Sequence, residues 1–200
     1  MTMSKGKSFI ITGPSGVGKS TVLQQFMAKR SNLYFSVSAT TRAPRPGEVD
    51  GVHYHFLDKE TFRQWIENGE FLEHAEFVEN YYGTPKRFVD EAMDRGEDVI
   101  LDIELQGVLQ VHEKRPETVR IFLAPPSWEE LERRLTERGT DTPDKIQKRL
   151  QRAKEDFSAA GTFDYFVIND TVENAVAELD AIFTAEHCKA EERMATLSGK

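Results

Sequence analysis

The segment from residue 13 to residue 20 combines residue types and a spacing that suit it to binding phosphate. It reads Gly13-Pro14-Ser15-Gly16-Val17-Gly18-Lys19-Ser20 and fills every fixed position of the phosphate-binding loop pattern Gly-x-x-x-x-Gly-Lys-Ser/Thr. Glycines let backbone N–H groups close around phosphate oxygens, Lys19 would reach the β- and γ-phosphates, and the hydroxyl of Ser20 suits Mg²⁺. The motif, with Thr21 directly after it, predicts a site for a nucleoside triphosphate and Mg²⁺.

The residues on either side of this loop predict the elements that would position it. Residues 8–12, Ser-Phe-Ile-Ile-Thr, are short and rich in β-forming side chains, as in a buried strand. Residues 21–30 space Val22, Leu23 and Phe26 at helical intervals. A strand, a glycine-rich turn and a helix start together direct backbone N–H groups at an anion. These flanks favour a phosphate site over the alternative, a glycine-rich turn that occurs by chance.

A second candidate metal ligand follows another apolar run. Val99-Ile100-Leu101-Asp102 reads as a strand that ends in a carboxylate, and phosphoryl-transfer enzymes use such a carboxylate on Mg²⁺ beside the loop hydroxyl. The alternative is an aspartate that caps the next turn. Glu104 would point to the same side as Asp102 if the strand extended that far. Ser20 and Asp102 are therefore the predicted Mg²⁺ residues.

Five β-like runs recur along the chain, and helical patterns separate most of them. The runs are Phe9–Thr12, Tyr34–Ser38, Val99–Asp102, Val119–Leu123 and Tyr165–Asn169. With the phosphate loop, this alternation predicts an α/β fold of the P-loop NTPase type, in which helices flank a largely parallel sheet. Two helix starts are also indicated: Ser127-Trp128-Glu129-Glu130 fits a capping box, and Thr142-Pro143 pairs an N-cap residue with a first-turn proline.

Two segments interrupt this alternation. Residues 40–85 are rich in turn formers, aromatic residues and charge, and residues 125–154 read as two helices joined by a turn. Long insertions usually carry function, so residues 40–85 are expected to form a substrate module and residues 125–154 a helical lid. The remaining segments, 1–39, 86–124 and 155–200, would form the P-loop core. The polar tail from Glu186 to Lys200 is expected to be a fraying helix end with a disordered terminus.

The composition limits the classes of partner. The 200 residues are 38% hydrophobic and 30% charged, and the net charge is −8, which argues against nucleic acid or an anionic membrane as a partner. A single cysteine, Cys188, excludes an intramolecular disulfide and a cysteine-based zinc site. No signal peptide or apolar run of membrane-spanning length is evident. A cytoplasmic enzyme is therefore expected, and a homo-oligomer is left open.

Arginines are concentrated in the predicted lid. Arg134 and Arg138 are four residues apart on one helix face, and Arg149 lies on the next helix. Glutamates are interleaved with these arginines, so a solvated face with surface ion pairs is one interpretation. The other is catalysis, because phosphoryl transfer requires positive charge on the migrating group. The residues alone leave both open.

Several longer motifs closely resemble those of the guanylate kinase family, and the resemblance covers nearly the whole chain. In addition to the phosphate loop, the motifs are residues 38–48, 51–54, 71–73, 81–84, 100–107, 124–127, 138–140 and 168–170. Several are long and specific to this family, whereas all P-loop proteins share the phosphate loop. The resemblance implies transfer of the γ-phosphoryl group of ATP to GMP, and also to dGMP, with Mg²⁺ as the cofactor.

The resemblance also implies that residues 40–85 bind GMP, and it implies roles for individual residues. The clamp on the GMP phosphate would consist of Arg42, Arg45, Tyr54 and Tyr82, which are strong donors to phosphate oxygens. The guanine site would consist of Ser38, Glu73, Gly83, Thr84 and Glu104, the last at a position where the family more typically has aspartate. The catalytic set would be Lys19 with the lid arginines Arg134, Arg138 and Arg149, and Asn169 would lie near the adenine of ATP.

The chemistry of these side chains suits guanine. A carboxylate such as Glu73 accepts from the N1–H and amino donors of guanine, a hydroxyl such as Ser38 donates to O6, and adenine would place its N1 acceptor against the carboxylate. No catalytic general base is expected, because a phosphate acceptor is already largely ionised at neutral pH. Two alternatives stay open: a guanylate-kinase-like module that holds partner proteins, and a P-loop kinase with another small-molecule acceptor.

Overall fold

The computed structural model describes residues 5–137, 139, 141–190 and 193–194. The chain divides into two compact units, one formed by Met1–Ile10 and Asn32–Val119 and the other by Ile11–Ser31 and Arg120–Lys200. The described strands are β1 (Ser8–Thr12), β2 (Leu33–Phe35), β3 (Ala39–Thr40), β4 (His55–Phe56), β5 (Phe71–Phe77), β6 (Asn80–Pro85), β7 (Asp98–Leu101), β8 (Val119–Ala124) and β9 (Tyr165–Ile168). The described helices are α1 (Lys19–Lys29), α2 (Lys59–Glu67), α3 (Lys86–Asp94), α4 (Leu105–Lys114), α5 (Trp128–Glu137), α6 (Pro143–Ser158) and α7 (Val172–Glu186), with a 3-10 turn at Ala160–Thr162.

Each unit contains parallel strands covered by helices. In the first unit, β7 pairs in parallel with both β1 and β2, and α3 packs on β7. In the second unit, β8 pairs in parallel with β9, α7 packs on β9, and the ring of Phe26 in α1 meets that of Phe183 in α7 at 4.8 Å. Every residue of β1 is buried, as expected for a strand covered on both faces. The predicted α/β class with a parallel sheet flanked by helices is confirmed.

All five predicted β-like runs form strands, but some of them end earlier than predicted. The second strand covers Leu33–Phe35, so Ser38 lies outside it, and β7 ends at Leu101, so Asp102 follows the strand instead of ending it. The strand does not extend to Glu104, so the condition for Glu104 to point to the same side as Asp102 is not met. Glu104 is the N-cap of α4, with φ −74° and ψ 159°. The chain therefore turns from strand to helix within three residues.

Within residues 40–85 the sequence analysis identified no strands, whereas the structure has a second sheet there. Its strand order is β4-β3-β6-β5, and it begins one residue before the segment, at Ala39. The β5–β6 hairpin turns through Val78 and Glu79, both with positive φ. Phe62 of α2 and Phe71 of β5 stack at 4.4 Å between ring centroids and form the centre of the small core under this sheet.

The two predicted helix starts are found in the second unit. The Ser127 hydroxyl accepts from the N–H of Glu130 at 3.1 Å, which confirms the N-cap. A capping box also predicts that the Glu130 carboxylate accepts from the backbone N–H of Ser127. This part of the prediction is wrong, because the carboxylate binds Arg133 and Arg134 instead. Pro143 is the first residue of α6 after the N-cap Thr142.

Helices α5 and α6 pack through an apolar cluster, formed by Leu131, Leu135, Ile146, Leu150 and Ala153. They occupy most of the segment predicted as a lid, and its motion stays a prediction. Of the predicted frayed tail, residues 191–192 and 195–200 lie outside the described residues. Among the described helices, none has the length and apolar character needed to cross a membrane.

Candidate active site

The phosphate loop lies in the second unit, between the end of β1 and the start of α1. Gly16 and Gly18 have φ angles of 92° and 93°, which L side chains rarely adopt. Gly18 is also the N-cap of α1, which begins at Lys19, slightly earlier than predicted. A Cβ at Gly13 would lie 2.2 Å from the carbonyl oxygen of Leu123 in β8. At these three positions the conformation or the space requires glycine.

The carbonyl group of Val17 fixes one peptide plane of this loop. Its oxygen accepts hydrogen bonds from Asn169 Nδ2 at 2.7 Å and from Arg134 Nη1 at 3.1 Å. Because a trans peptide directs its N–H away from its C=O, the N–H of Gly18 points away from these two side chains. Asn169 and Arg134 therefore orient a backbone donor of the type that binds phosphate.

Each of the three guanidinium nitrogens of Arg134 makes a hydrogen bond within the second unit. Its Nη2 donates to the Asn169 carbonyl oxygen at 2.9 Å, and its Nε donates to Glu130 at 2.7 Å. The neighbouring Arg133 pairs with Glu130 and Glu137 on the exposed surface. Arg133 thus forms surface ion pairs, whereas Arg134 contacts the phosphate loop, and a catalytic role for Arg134 stays a prediction.

A second lid arginine also contacts the loop. Arg149 Nη1 donates to the hydroxyl of Ser15 at 2.7 Å, and Nε lies 3.3 Å from the carboxylate of Asp141. The third predicted lid arginine, Arg138, lies outside the described residues. Arg134 and Arg149 are thus close to the loop, while their contact with a transferring phosphoryl group stays a prediction.

The residues predicted to hold Mg²⁺ carry suitable oxygen donors. Ser20 is exposed in the first turn of α1, with Lys19 before it and Thr21 after it, and this turn contains no acidic residue. Asp102 follows β7 in the first unit and is partly exposed. Proteins usually hold Mg²⁺ through one or two carboxylates together with substrate phosphates. The hydroxyl and carboxylate oxygens of these residues therefore fit this ion.

In the first unit, Arg42 is held by a carboxylate and by aromatic rings. Nη1 and Nη2 donate to the two carboxylate oxygens of Glu48, each at 2.9 Å. The guanidinium carbon lies 5.3 Å from the ring centroid of Tyr54, whose ring is 6.2 Å from that of Tyr82. The hydrogen bonds to Glu48 are the main cause that raises the pKa of this arginine, and Tyr82 acts in the same direction. Three of the four predicted phosphate-clamp residues are thus brought together.

The fourth clamp residue, Arg45, is joined to this group through its backbone. Its N–H donates to Glu48 at 2.7 Å, and the N–H of Glu48 donates to the Arg45 carbonyl oxygen at 3.0 Å. The carboxylate of Glu48 therefore ties the turn that carries Arg45 to the side chain of Arg42. These contacts hold the pKa of Glu48 at about 2, mainly through the hydrogen bonds from Arg42.

Glu73 and Thr84 form the centre of the predicted guanine site. The Thr84 hydroxyl donates to Glu73 Oε1 at 2.7 Å, and Glu73 is only 8% exposed. Burial raises the pKa of the Glu73 carboxyl, while the Thr84 hydrogen bonds and the charge of Lys114 act in the opposite direction. A buried carboxylate that keeps accepting capacity is suited to reading N–H donors of a base.

The described contacts place the other guanine-site residues through their backbones. The Ser38 carbonyl oxygen accepts from the N–H of His55 at 2.9 Å, and Gly83 pairs with Ala39 between the antiparallel strands β6 and β3. Glu104 is exposed and makes no side-chain capping bond at the start of α4. Its contact with guanine stays a prediction.

Comparisons with known proteins identify the family. The family described as guanylate kinase matches residues 5–186. The chain belongs to the guanylate kinase family. A guanylate kinase of Thermus thermophilus is 54% identical over 182 residues, covering 91% of this chain and 82% of the relative. A guanylate kinase of Halalkalibacterium halodurans is 52% identical over 191 residues, covering 96% of this chain and 94% of the relative.

A solved structure of a guanylate kinase has a similar fold. The crystal structure of guanylate kinase from Anaplasma phagocytophilum matches with a TM-score of 0.72 and 34% sequence identity. The match covers 95% of this chain and 90% of that one. The resemblance to the guanylate kinase family that the motifs indicated is therefore confirmed.

Three features of the site were not predicted from the sequence. Glu48 lies in the motif of residues 38–48 but was assigned no role, although the spacing Arg42-x-x-Arg45-x-x-Glu48 could have suggested a polar turn. The contact of Arg134 with Val17 joins residues 117 positions apart, and no local pattern announces it. The close approach of Gly107 to Glu73 also joins distant segments.

Proposed function

We propose that this chain transfers the γ-phosphoryl group of ATP to GMP and produces ADP and GDP. Membership of the guanylate kinase family supports this reaction. The single observation that carries the choice of acceptor is the buried carboxylate of Glu73, which is fixed by Thr84 in the same unit as the Arg42 group. One site thus offers an acceptor for a base and donors for a phosphate.

The proposed base recognition rests on Glu73. Guanine presents N1–H and an amino group as donors, and both suit an ionised carboxylate. Adenine presents a lone pair at N1, which would face the same carboxylate without a proton between them, so its binding would be penalised. The Thr84 hydroxyl donates one hydrogen bond to Oε1. Because each carboxylate oxygen has two lone pairs, Glu73 can still accept hydrogen bonds from the base.

The proposed phosphate recognition rests on Arg42, Arg45, Tyr54 and Tyr82. Glu48 and the Tyr54 ring fix the guanidinium of Arg42 before substrate arrives. A donor group that is already oriented loses less conformational freedom when it binds phosphate. Arg42 keeps further N–H groups, because a guanidinium has five, of which Glu48 takes two and the carbonyl oxygen of Ala43 takes one.

On the ATP side, this chain's own residues position the phosphates and supply positive charge. The loop donors, among them the N–H of Gly18, and the ammonium of Lys19 would hold the phosphates, and Arg134 and Arg149 keep the loop in place through Val17 and Ser15. Mg²⁺, when held by Ser20 and Asp102, supplies neutralisation of phosphate charge. Positioning and electrostatics then account for the in-line transfer.

No residue has to remove a proton from the acceptor. The second pKa of a phosphate monoester is near 6, so the phosphate of GMP is largely dianionic at neutral pH. Its oxygen can attack the γ-phosphorus directly. The proposed substrates are nucleotides that dissolve in the cytoplasm, which supports the predicted cytoplasmic location.

The experiment that tests the proposal is an acceptor screen. ADP release from ATP and Mg²⁺ is followed by a coupled assay with GMP, dGMP, AMP, CMP or UMP as the acceptor. The proposal expects turnover with GMP and dGMP and much lower kcat/KM for AMP, CMP and UMP. A protein-binding module would release no ADP with any nucleotide, and preference for another nucleotide would identify a different kinase.

A further inference from the structure

The carboxylate of Glu73 lies directly against the first turn of α4. A Cβ built at Gly107 would lie 2.8 Å from Glu73 Oε2 and 3.1 Å from both its Cδ and its Cγ. Such distances are shorter than ordinary van der Waals contact, so no side chain fits at position 107 while Glu73 keeps its conformation. Gly107 is fully helical, and the requirement for glycine comes from this approach alone.

Helix α4 is fixed in place beside Glu73 by two further side chains on the same face. Gln110 exchanges hydrogen bonds with the backbone of His74, accepting from its N–H at 3.1 Å and donating to its carbonyl at 2.9 Å. Lys114 Nζ donates to the carbonyl oxygen of Phe71 at 2.9 Å. Positions 107, 110 and 114 fall on one helix face, and their partners all lie within the first four residues of β5. The helix therefore cannot easily move away from the strand.

On its other side the carboxylate is held by Thr84. The Thr84 hydroxyl binds Oε1 at 2.7 Å, and the glutamate is almost entirely buried. Glu73 is thus confined between the hydroxyl and the backbone of α4. If a methyl group were added at Gly107, the flexible end of the glutamate side chain would move before the hydrogen-bonded backbones of α4 and β5 did.

We infer that Gly107 is a positioning residue for base specificity: its missing side chain creates the space in which the Glu73 carboxylate faces guanine. This inference rests on the proposed guanine-reading role of Glu73. Gly107 itself touches neither the base nor the reacting atoms. Its contribution is the position of the carboxylate, so its loss should change the choice of acceptor more than the handling of ATP.

The test is steady-state kinetics of Gly107→Ala with GMP and with AMP. We expect the ratio of kcat/KM for GMP over AMP to fall roughly 10-fold to 100-fold, as for the loss of one charge-assisted hydrogen bond. The KM for ATP should stay unchanged. Gly161→Ala is the matched control, because a Cβ at Gly161 would meet no atom within 4 Å, and its ratio should equal that of the wild type.

A rescue experiment separates displacement of the carboxylate from general damage. Aspartate is one methylene shorter than glutamate, so Glu73→Asp should lower GMP turnover in the wild type by withdrawing the carboxylate. In the Gly107→Ala background the shorter side chain relieves the clash. The double variant should therefore turn over GMP at least as well as Gly107→Ala alone. If the loss of GMP turnover in the double variant equals the product of the losses in the two single variants, the inference is overturned.

The two proposals can fail separately. If Glu73→Gln keeps the wild-type preference for GMP over AMP, the base-reading role of Glu73 is wrong. If Glu73→Gln lowers the preference while Gly107→Ala retains the wild-type ratio, the role of Glu73 stands and the inference about Gly107 is wrong.

Discussion

The substitution Glu73→Gln isolates the charge of the proposed guanine reader. Glutamine has nearly the same shape, and its amide oxygen can still accept the hydrogen bond that the Thr84 hydroxyl gives to Glu73 Oε1 at 2.7 Å. What changes is the charge and one end of the group, where a carboxylate oxygen becomes an NH₂ donor. Burial raises the pKa of Glu73 because it destabilises the ionised carboxylate. Removal of the charge should therefore leave the thermal stability of the protein unchanged or slightly increased.

The size of the effect follows from the bonds that guanine would lose. Each charge-assisted hydrogen bond contributes about 1.5–3 kcal/mol, which corresponds to roughly 10-fold to 150-fold in kcat/KM per bond. For AMP the sign is opposite, because the new NH₂ group can donate to adenine N1 and the repulsion disappears. The GMP-over-AMP ratio should therefore fall by at least about two orders of magnitude.

The assay is coupled ADP release at varied GMP and AMP for the wild type and Glu73→Gln, with thermal unfolding measured on both proteins. A lower ratio together with an unchanged melting temperature supports the base-reading role of Glu73. If the ratio is unchanged in a protein that is stably folded, the charge of Glu73 does not read the base. The reasoning from burial and hydrogen bonding would then be refuted.

Three further predictions concern the phosphate sites and the response to pH. Lys19→Ala should lower kcat by several orders of magnitude while circular dichroism stays unchanged, since this residue serves phosphate; near-normal turnover would reject the phosphate-loop assignment. Glu48→Ala releases the guanidinium of Arg42 and should raise the KM for GMP about tenfold without changing the KM for ATP; tighter GMP binding would show that Glu48 competes with phosphate instead of orienting its ligand. Burial raises the folded-state pKa of Glu73 above its ordinary value of 4.5, so between these two values the unfolded state has released a proton that the folded state keeps, and the free energy of unfolding falls as pH rises. Denaturant titrations across that pH range should show this fall in the free energy of unfolding in the wild type and not in Glu73→Gln. Identical pH profiles of the two proteins would contradict the prediction.

The parallel sheet and the phosphate loop could be predicted because their signals are local. Buried parallel strands are short continuous apolar runs, and the backbone conformation at Gly16 and Gly18 requires glycine within one motif. The starts of α5 and α6 were also predictable, because Ser127 and Pro143 act within one turn of their own helix. In each of these cases, neighbouring residues determine the structure.

The second sheet, in which β3 and β4 are parallel and the other pairs antiparallel, could not be predicted in the same way. Strands β3 and β4 have two residues each, too few for any alternation of side chains. Strand β3 forms because β6 provides hydrogen-bond partners from a distant part of the chain, and β4 in turn pairs with β3. The end of β7 before Glu104 has a related reason: the residues there start a helix that is fixed by contacts with β5.

The residue types of the candidate site could be predicted from the sequence, but the contacts between these residues could be predicted only in part. The motifs named Arg42, Tyr54 and Tyr82, and the structure brings their side chains together. The roles of Glu48 and Gly107 depend on which atoms come within hydrogen-bond or van der Waals distance. Such distances follow from tertiary packing, and no spacing in the sequence encodes them.

The central claim is that a phosphoryl group passes from ATP to GMP. It is tested most directly by following the label from [γ-³²P]ATP in the presence of GMP and Mg²⁺ and separating the products. We predict that the label appears in the β-phosphate of GDP, with one ADP formed for each GDP. Release of the label as inorganic phosphate while GMP stays unchanged would contradict the claim.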